Sequence, residues 1–121
     1  LLLKFDDTYK TEYDNLNIQN KILFEHFNNL VHAVTANKHE QEIYDLFLIF
    51  TEYYSFHIKH EKFILKEVED SKHHRDHFLL LNIIKRFSHQ LGTADPPSLL
   101  PLLKFLNNKI KMHIVTFDKN L

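Results

Sequence analysis

The chain has 121 residues and a mass of 14.6 kDa, which reads as one domain able to bury a single continuous core. Its 15 Lys+Arg against 16 Asp+Glu leave a formal charge of −1, which excludes the basic footprint of a nucleic-acid or membrane-surface binder. The absence of cysteine excludes disulfides, iron–sulfur clusters and thiol chemistry, and one glycine with three prolines is too little turn chemistry for an all-β fold.

From the N-terminus, Leu1-Leu2-Leu3 is too short for the apolar region of a signal peptide. No apolar run reaches spanning length, so no membrane partner and a cytoplasmic setting are expected. The first residue is not Met, which is compatible with a module of a longer protein. Residues 1–16 read as an arm laid against the rest, with Phe5, Tyr9 and Tyr13 spaced by four.

The first helix is predicted at about 17–36, on Leu16, Leu23, Phe27, Leu30, Val31 and Val34. The second covers about 38–68. Its stripe is Ile43, Leu46, Phe47, Phe50, Tyr53 and Tyr54, continuing to Ile64, Leu65 and Val68. The third, about 71–91, opens with Ser71 as its N-cap and carries Leu80, Ile84, Phe87 and Leu91, with Gly92 in the place of a C-cap glycine. Asp95-Pro96-Pro97-Ser98 then breaks the chain. The fourth helix, about 98–115, uses Leu99, Leu102, Leu103, Leu106 and Ile110, with Pro101 in its first turn, where a missing N–H costs little. Short connections between amphipathic helices predict an all-α, up-down-up-down antiparallel four-helix bundle, one domain over residues 1–121.

Each stripe is interrupted by polar residues. The first passes through Asn20, the second through His57 and Glu61, the third through His73 and His77, and the fourth arrives at His113. Residues four apart on a helix differ by about 40° and stand about 6 Å apart along the axis, so each pair can reach one centre. Asp118 follows His113 at about 140° round an ideal helix, so those two meet only if the helix ends or loosens between them. Burying such groups without compensation is costly, and a cation that accepts imidazole nitrogen and carboxylate oxygen resolves the cost. Mixed ligation of this kind favours iron, manganese or zinc over calcium or magnesium. The chain has ten histidines. Of the others, His26, His32 and His39 are expected to be solvated, His60 to lie too far round its helix, His74 to face away, and His89 to lie beyond the cluster.

These residues resemble a known family. Phe5, Tyr9, Asn17 and Gln19-Asn20-Lys21-Ile22-Leu23-Phe24, then His57-Ile58-Lys59-His60-Glu61, then His73 to His77, then His113-Ile114-Val115-Thr116-Phe117-Asp118 are similar, in order, to the motifs of the hemerythrins, most closely the single-domain bacteriohemerythrins. The resemblance covers nearly the whole chain, with a connection before His73 about three residues shorter than usual.

The resemblance implies two iron ions joined by a bridging oxo or hydroxo group. His73, His77 and His113 would hold one iron and His57 the other, with Glu61 and Asp118 bridging both. Dioxygen would bind reversibly beside Ile110, for storage, delivery or sensing, with no residue acting as acid or base and hence no enzymatic turnover. This chain departs from the pattern at the second iron. Asn20 stands where the family has a histidine ligand, Asn17 where it has an aspartate, and Lys109 where it usually has tryptophan. Asn20 then coordinates weakly, or another group fills its place, or the second iron is lost. The alternative functions are an altered or mononuclear iron site with redox, peroxide or nitric oxide reactivity, and a metal-depleted bundle. A ferritin-like di-iron enzyme fits less well, because such bundles use Glu-x-x-His where this chain has His-x-x-x-Glu.

Overall fold

The computed structural model describes residues 1–64, 71–90 and 99–120. Four helices follow one another: α1 (Asp14–Thr35), α2 (Glu40–Ile64), α3 (Ser71–Gln90) and α4 (Leu100–Thr116). No strand occurs among the described residues. Each helix packs on the next and α4 returns against α1, closing an antiparallel four-helix bundle. No helix is long and apolar enough to cross a membrane, among the described residues.

Where the residues on both sides are described, the helix boundaries differ from the sequence expectation by one to three residues. The arm is shorter than expected because α1 begins at Asp14. Asn17 Oδ1 accepts from Thr11 N and Thr11 Oγ1 at 2.7 and 3.0 Å, and Asn17 Nδ2 donates to the Thr11 carbonyl at 3.0 Å. That knot turns the chain into the helix early. At the other end, Asn37 adopts φ 54°, a left-handed conformation that asparagine tolerates. It lets Lys38 N donate to Ala33 O at 3.0 Å and Asn37 N to Val34 O at 3.2 Å, a Schellman closure. Helix α2 therefore starts at Glu40, behind His39, whose Nδ1 accepts from Gln41 N at 3.1 Å. His39 is exposed as expected, but it caps a helix.

Ser71 is the first helical residue of α3 and not its N-cap. Helix α4 begins at Leu100 with Pro101 in its first turn, as expected. Leu65, Val68, Leu91, Gly92 and the expected break at Asp95–Ser98 lie outside the described residues.

The stripes form the core. Phe27 meets Phe50 edge-on at 6.0 Å, and Phe47 stacks on Phe87 at 4.7 Å. Leu46, Tyr53 and Leu102 are only half-buried and lie at its edge, while Ile58, Ile83 and Ile114 are buried though none was counted on a stripe. In the arm, Phe5 and Tyr9 pack on Phe24 at 5.9 and 5.4 Å. Tyr13 does not join them and is exposed. The buried anchor is instead Leu3, whose backbone exchanges two hydrogen bonds of 2.7 Å with the Asn28 amide.

Candidate metal centre

Antiparallel packing brings the start of α1, the end of α2, the start of α3 and the end of α4 to one end of the bundle. His57, Glu61, His73, His77, His113 and Asp118 converge there, all buried, with Asn20 beside them. Asp118 reaches the cluster because α4 stops at Thr116. Phe117 N closes the helix on His113 O at 2.8 Å, and Asp118 opens a separate 3-10 turn, Asp118–Asn120. The helix ending that the five-residue spacing requires is therefore present.

The Nε2 atoms of all four histidines face two carboxylates. Glu61 Oε2 lies 2.6 Å from His77 Nε2 and 3.6 Å from both His73 Nε2 and His113 Nε2, while Glu61 Oε1 faces His57 Nε2 at 3.9 Å. Asp118 divides its oxygens in the same way. Its Oδ1 is 3.2 Å from His113 Nε2 and 3.4 Å from His73 Nε2, and its Oδ2 is 4.0 Å from His57 Nε2. Two groupings result, one of Glu61, His73, His77 and His113 and one of His57, Glu61 and Asp118, each with donor atoms close enough to share a cation.

Asn20 is fully buried, and its Nδ2 donates to Asp118 Oδ2 at 3.4 Å. Four buried atoms here have no hydrogen-bond partner: Asn20 Oδ1, Glu61 Oε1, Asp118 Oδ1 and His77 Nδ1. Buried polar atoms are almost always satisfied, so three orphaned oxygens among inward-facing imidazoles form a site that could hold a cation. The residues fit a metal of the iron, manganese or zinc class.

Burial and the carboxylates act on the imidazoles in opposite directions. Burial pushes His113 down, but the nearby carboxylates of Asp118, Asp76 and Glu61 outweigh it and hold His113 well above the ordinary histidine value. In His73, burial is likewise outweighed by Asp118 and Glu61, and the value is raised. In His57 and His77 burial prevails and the values are lowered. Burial works against the Glu61 carboxylate, but the imidazoles of His113, His73 and His77 around it keep it below the usual carboxylate range.

Two supporting residues were not anticipated from the sequence. His113 Nδ1 donates to Asp76 Oδ2 at 2.6 Å, and His57 Nδ1 donates to Gln19 Oε1 at 2.8 Å. Each bond places the proton on Nδ1 and leaves Nε2 for a metal. Gln19 also donates from Nε2 to His60 Nδ1 at 2.7 Å, so His60 stays outside the cluster but is tied to it. His26 is half-buried against Tyr53 at 5.2 Å and not fully solvated; His32 and His89 are exposed, and His74 lies outside both groupings.

Beside Asn20 and His57 lies a narrow cavity walled by Leu23, Tyr54, Ile110 and Ile114, too tight to hold a water molecule. Burial, and then the charges of Glu61, Asp118 and Asp76, push the Tyr54 phenol well above its ordinary value, so this wall is neutral. Lys109 is half-buried on the outer side, its Nζ 5.7 Å over the Phe105 ring.

No model of a known protein family matches the chain, and no curated protein matches it either.

Proposed function

We propose that the chain is a hemerythrin-like protein that holds two iron ions between its helices and binds dioxygen reversibly, without enzymatic turnover. The observation that carries this reading is the division of Glu61 and Asp118, each turning one oxygen to His57 and the other to the three-histidine side. Carboxylates disposed in that way suit a pair of ions better than a single one. His73, His77 and His113 would hold one iron, His57 the other, and Glu61 and Asp118 would bridge. When bound, the pair supplies the electrons that make dioxygen binding possible.

The chain's own residues have three tasks. The imidazoles present Nε2 in a fixed tautomer, set by Asp76 at His113 and by Gln19 at His57. The carboxylates balance the charge of the ions. Leu23, Ile110 and Ile114 border the His57 side with hydrocarbon and exclude water, which disfavours irreversible oxidation. A nitrogen-rich ligand set also suits binding over oxygen activation. A single-metal centre is the second reading, favoured by the one nitrogen of the His57 grouping.

The test is anaerobic loading with Fe(II), a count of iron per chain, then admission and removal of dioxygen. Two irons and a charge-transfer band that appears and disappears reversibly are expected. Irreversible oxidation refutes reversible carriage, and a single iron per chain selects the second reading.

A further inference from the structure

The two groupings are chemically unequal. One offers three imidazole nitrogens and a carboxylate, the other a single imidazole and two carboxylates. Beside the second stands Asn20, fully buried, with an Oδ1 that makes no hydrogen bond. Its other amide atom, Nδ2, lies 3.4 Å from Asp118 Oδ2. With an anion as neighbour, the amide presents its N–H. The two ends of an amide are the same size, so a half-turn about Cβ–Cγ exchanges them and presents the oxygen to a cation held by Asp118.

We infer that the two halves of the centre differ in metal preference, and that Asn20 sets the preference of the second. The half built on His73, His77 and His113 favours borderline, nitrogen-seeking divalent ions. The half built on His57 and Asp118 is completed by Asn20 Oδ1 and favours hard, oxygen-seeking ions such as Mn(II) or ferric iron. The centre then fills in two steps, the three-histidine half first, and accommodates two different metals in one chain. An amide oxygen is a neutral, hard donor, so it lowers the affinity of the second half for zinc-like ions more than for manganese. This inference rests on the reading of the centre as dinuclear.

The experiment titrates the intact chain with Zn(II) and, separately, Mn(II), following heat and, for manganese, the paramagnetic resonance of bound ion. In the unaltered chain the preference for Zn(II) over Mn(II) is at least about tenfold smaller at the second equivalent than at the first. Asn20→His raises affinity for the second Zn(II) about tenfold while changing the second Mn(II) little. Asn20→Leu, close in size and apolar, weakens both ions at the second equivalent about tenfold and leaves the first unchanged. Helical content by circular dichroism identifies any variant that has failed to fold. Two Zn(II) ions bound with equal affinity, or an Asn20→Leu chain that retains the second ion in full, overturn the inference and leave the dinuclear reading standing. A chain that takes one ion only, of either kind, overturns both.

Discussion

Asp76 Oδ2 sits 2.6 Å from His113 Nδ1, on the opposite side of the ring from Glu61 and Asp118, which the Nε2 atom faces. The hydrogen bond draws the Asp76 carboxyl below the usual range and, with burial opposing, helps hold His113 above it. Replacing Asp76 by Ala frees the ring to turn and removes the charge that makes it basic. Metal affinity at the three-histidine side is expected to fall about 10- to 100-fold, with Asp76→Asn between the two. Competition with a chelator of known strength measures this. Unchanged affinity in Asp76→Ala would remove Asp76 from the working centre.

Gln19 holds His57 in the equivalent way, at 2.8 Å. Gln19→Leu is expected to weaken the second metal equivalent about 10- to 100-fold while sparing the first. The nitrogen resonances of His57 give an independent reading, because loss of the acceptor permits the other tautomer.

Metal uptake is expected to release protons near neutral pH. The surrounding carboxylates favour the protonated forms of His73 and His113, whose Nε2 atoms face each other at 3.1 Å and share a proton that a cation must displace, whereas burial favours the neutral forms of His57 and His77. Affinity therefore rises as pH climbs through the raised values of His73 and His113. Calorimetry in buffers of different ionisation enthalpy counts the protons, and a count of zero at pH 7 contradicts the assignment. For the chelator-treated protein the signs separate. The raised pair stabilises the fold below the ordinary histidine value and loses that contribution as pH rises through the raised values. His57, His77 and Glu61 contribute above their ordinary values and lose it as pH falls through the lowered ones.

Core packing gives a contrast in stability. Phe27 is fully buried against Phe50, so Phe27→Ala should cost about 3–5 kcal/mol in urea unfolding. Phe78, on α3, is 64% exposed, and Phe78→Ala should change stability by no more than about 0.5 kcal/mol. A large loss at Phe78 would mean that this ring packs against something.

Ile110 walls the narrow cavity beside His57. Ile110→Asn is expected to admit water and hasten irreversible oxidation of the iron-loaded protein, seen as faster decay of the charge-transfer band. Ile110→Val should decay at nearly the unaltered rate. Equal decay in both variants would mean that Ile110 does not control the access of water.

The helices and their buried faces were legible because apolar residues recur at helical spacing, and His57, Glu61, His73, His77 and His113 were legible as breaks in that recurrence. Asp118 was a harder case. Its angle to His113 is wrong for a continuous helix, and only the 3-10 turn after Phe117 brings it inward. Gln19 and Asp76 lie off the stripes, and each takes its meaning from an imidazole on a different helix, which no single-helix pattern encodes. Asn107 was missed for a related reason. It is buried next to Leu106 and donates to the Leu1 carbonyl, a partner at the other end of the chain. Asn17, noted only as a departure from a motif, fastens the arm through Thr11.

One aromatic stack and the charged cluster lie at opposite ends of the bundle. The Phe47–Phe87 stack sits toward the far end of α2 and α3 from His57 and His73. Grease anchors one extremity, and the other gathers the imidazoles and carboxylates that could hold ions. Without ions, that extremity holds buried charges with little compensation and is expected to open first, while the Phe47–Phe87 extremity keeps the helices aligned. On the dinuclear reading proposed above, ions would enter and leave at the charged extremity, with no need for the molecule to come apart.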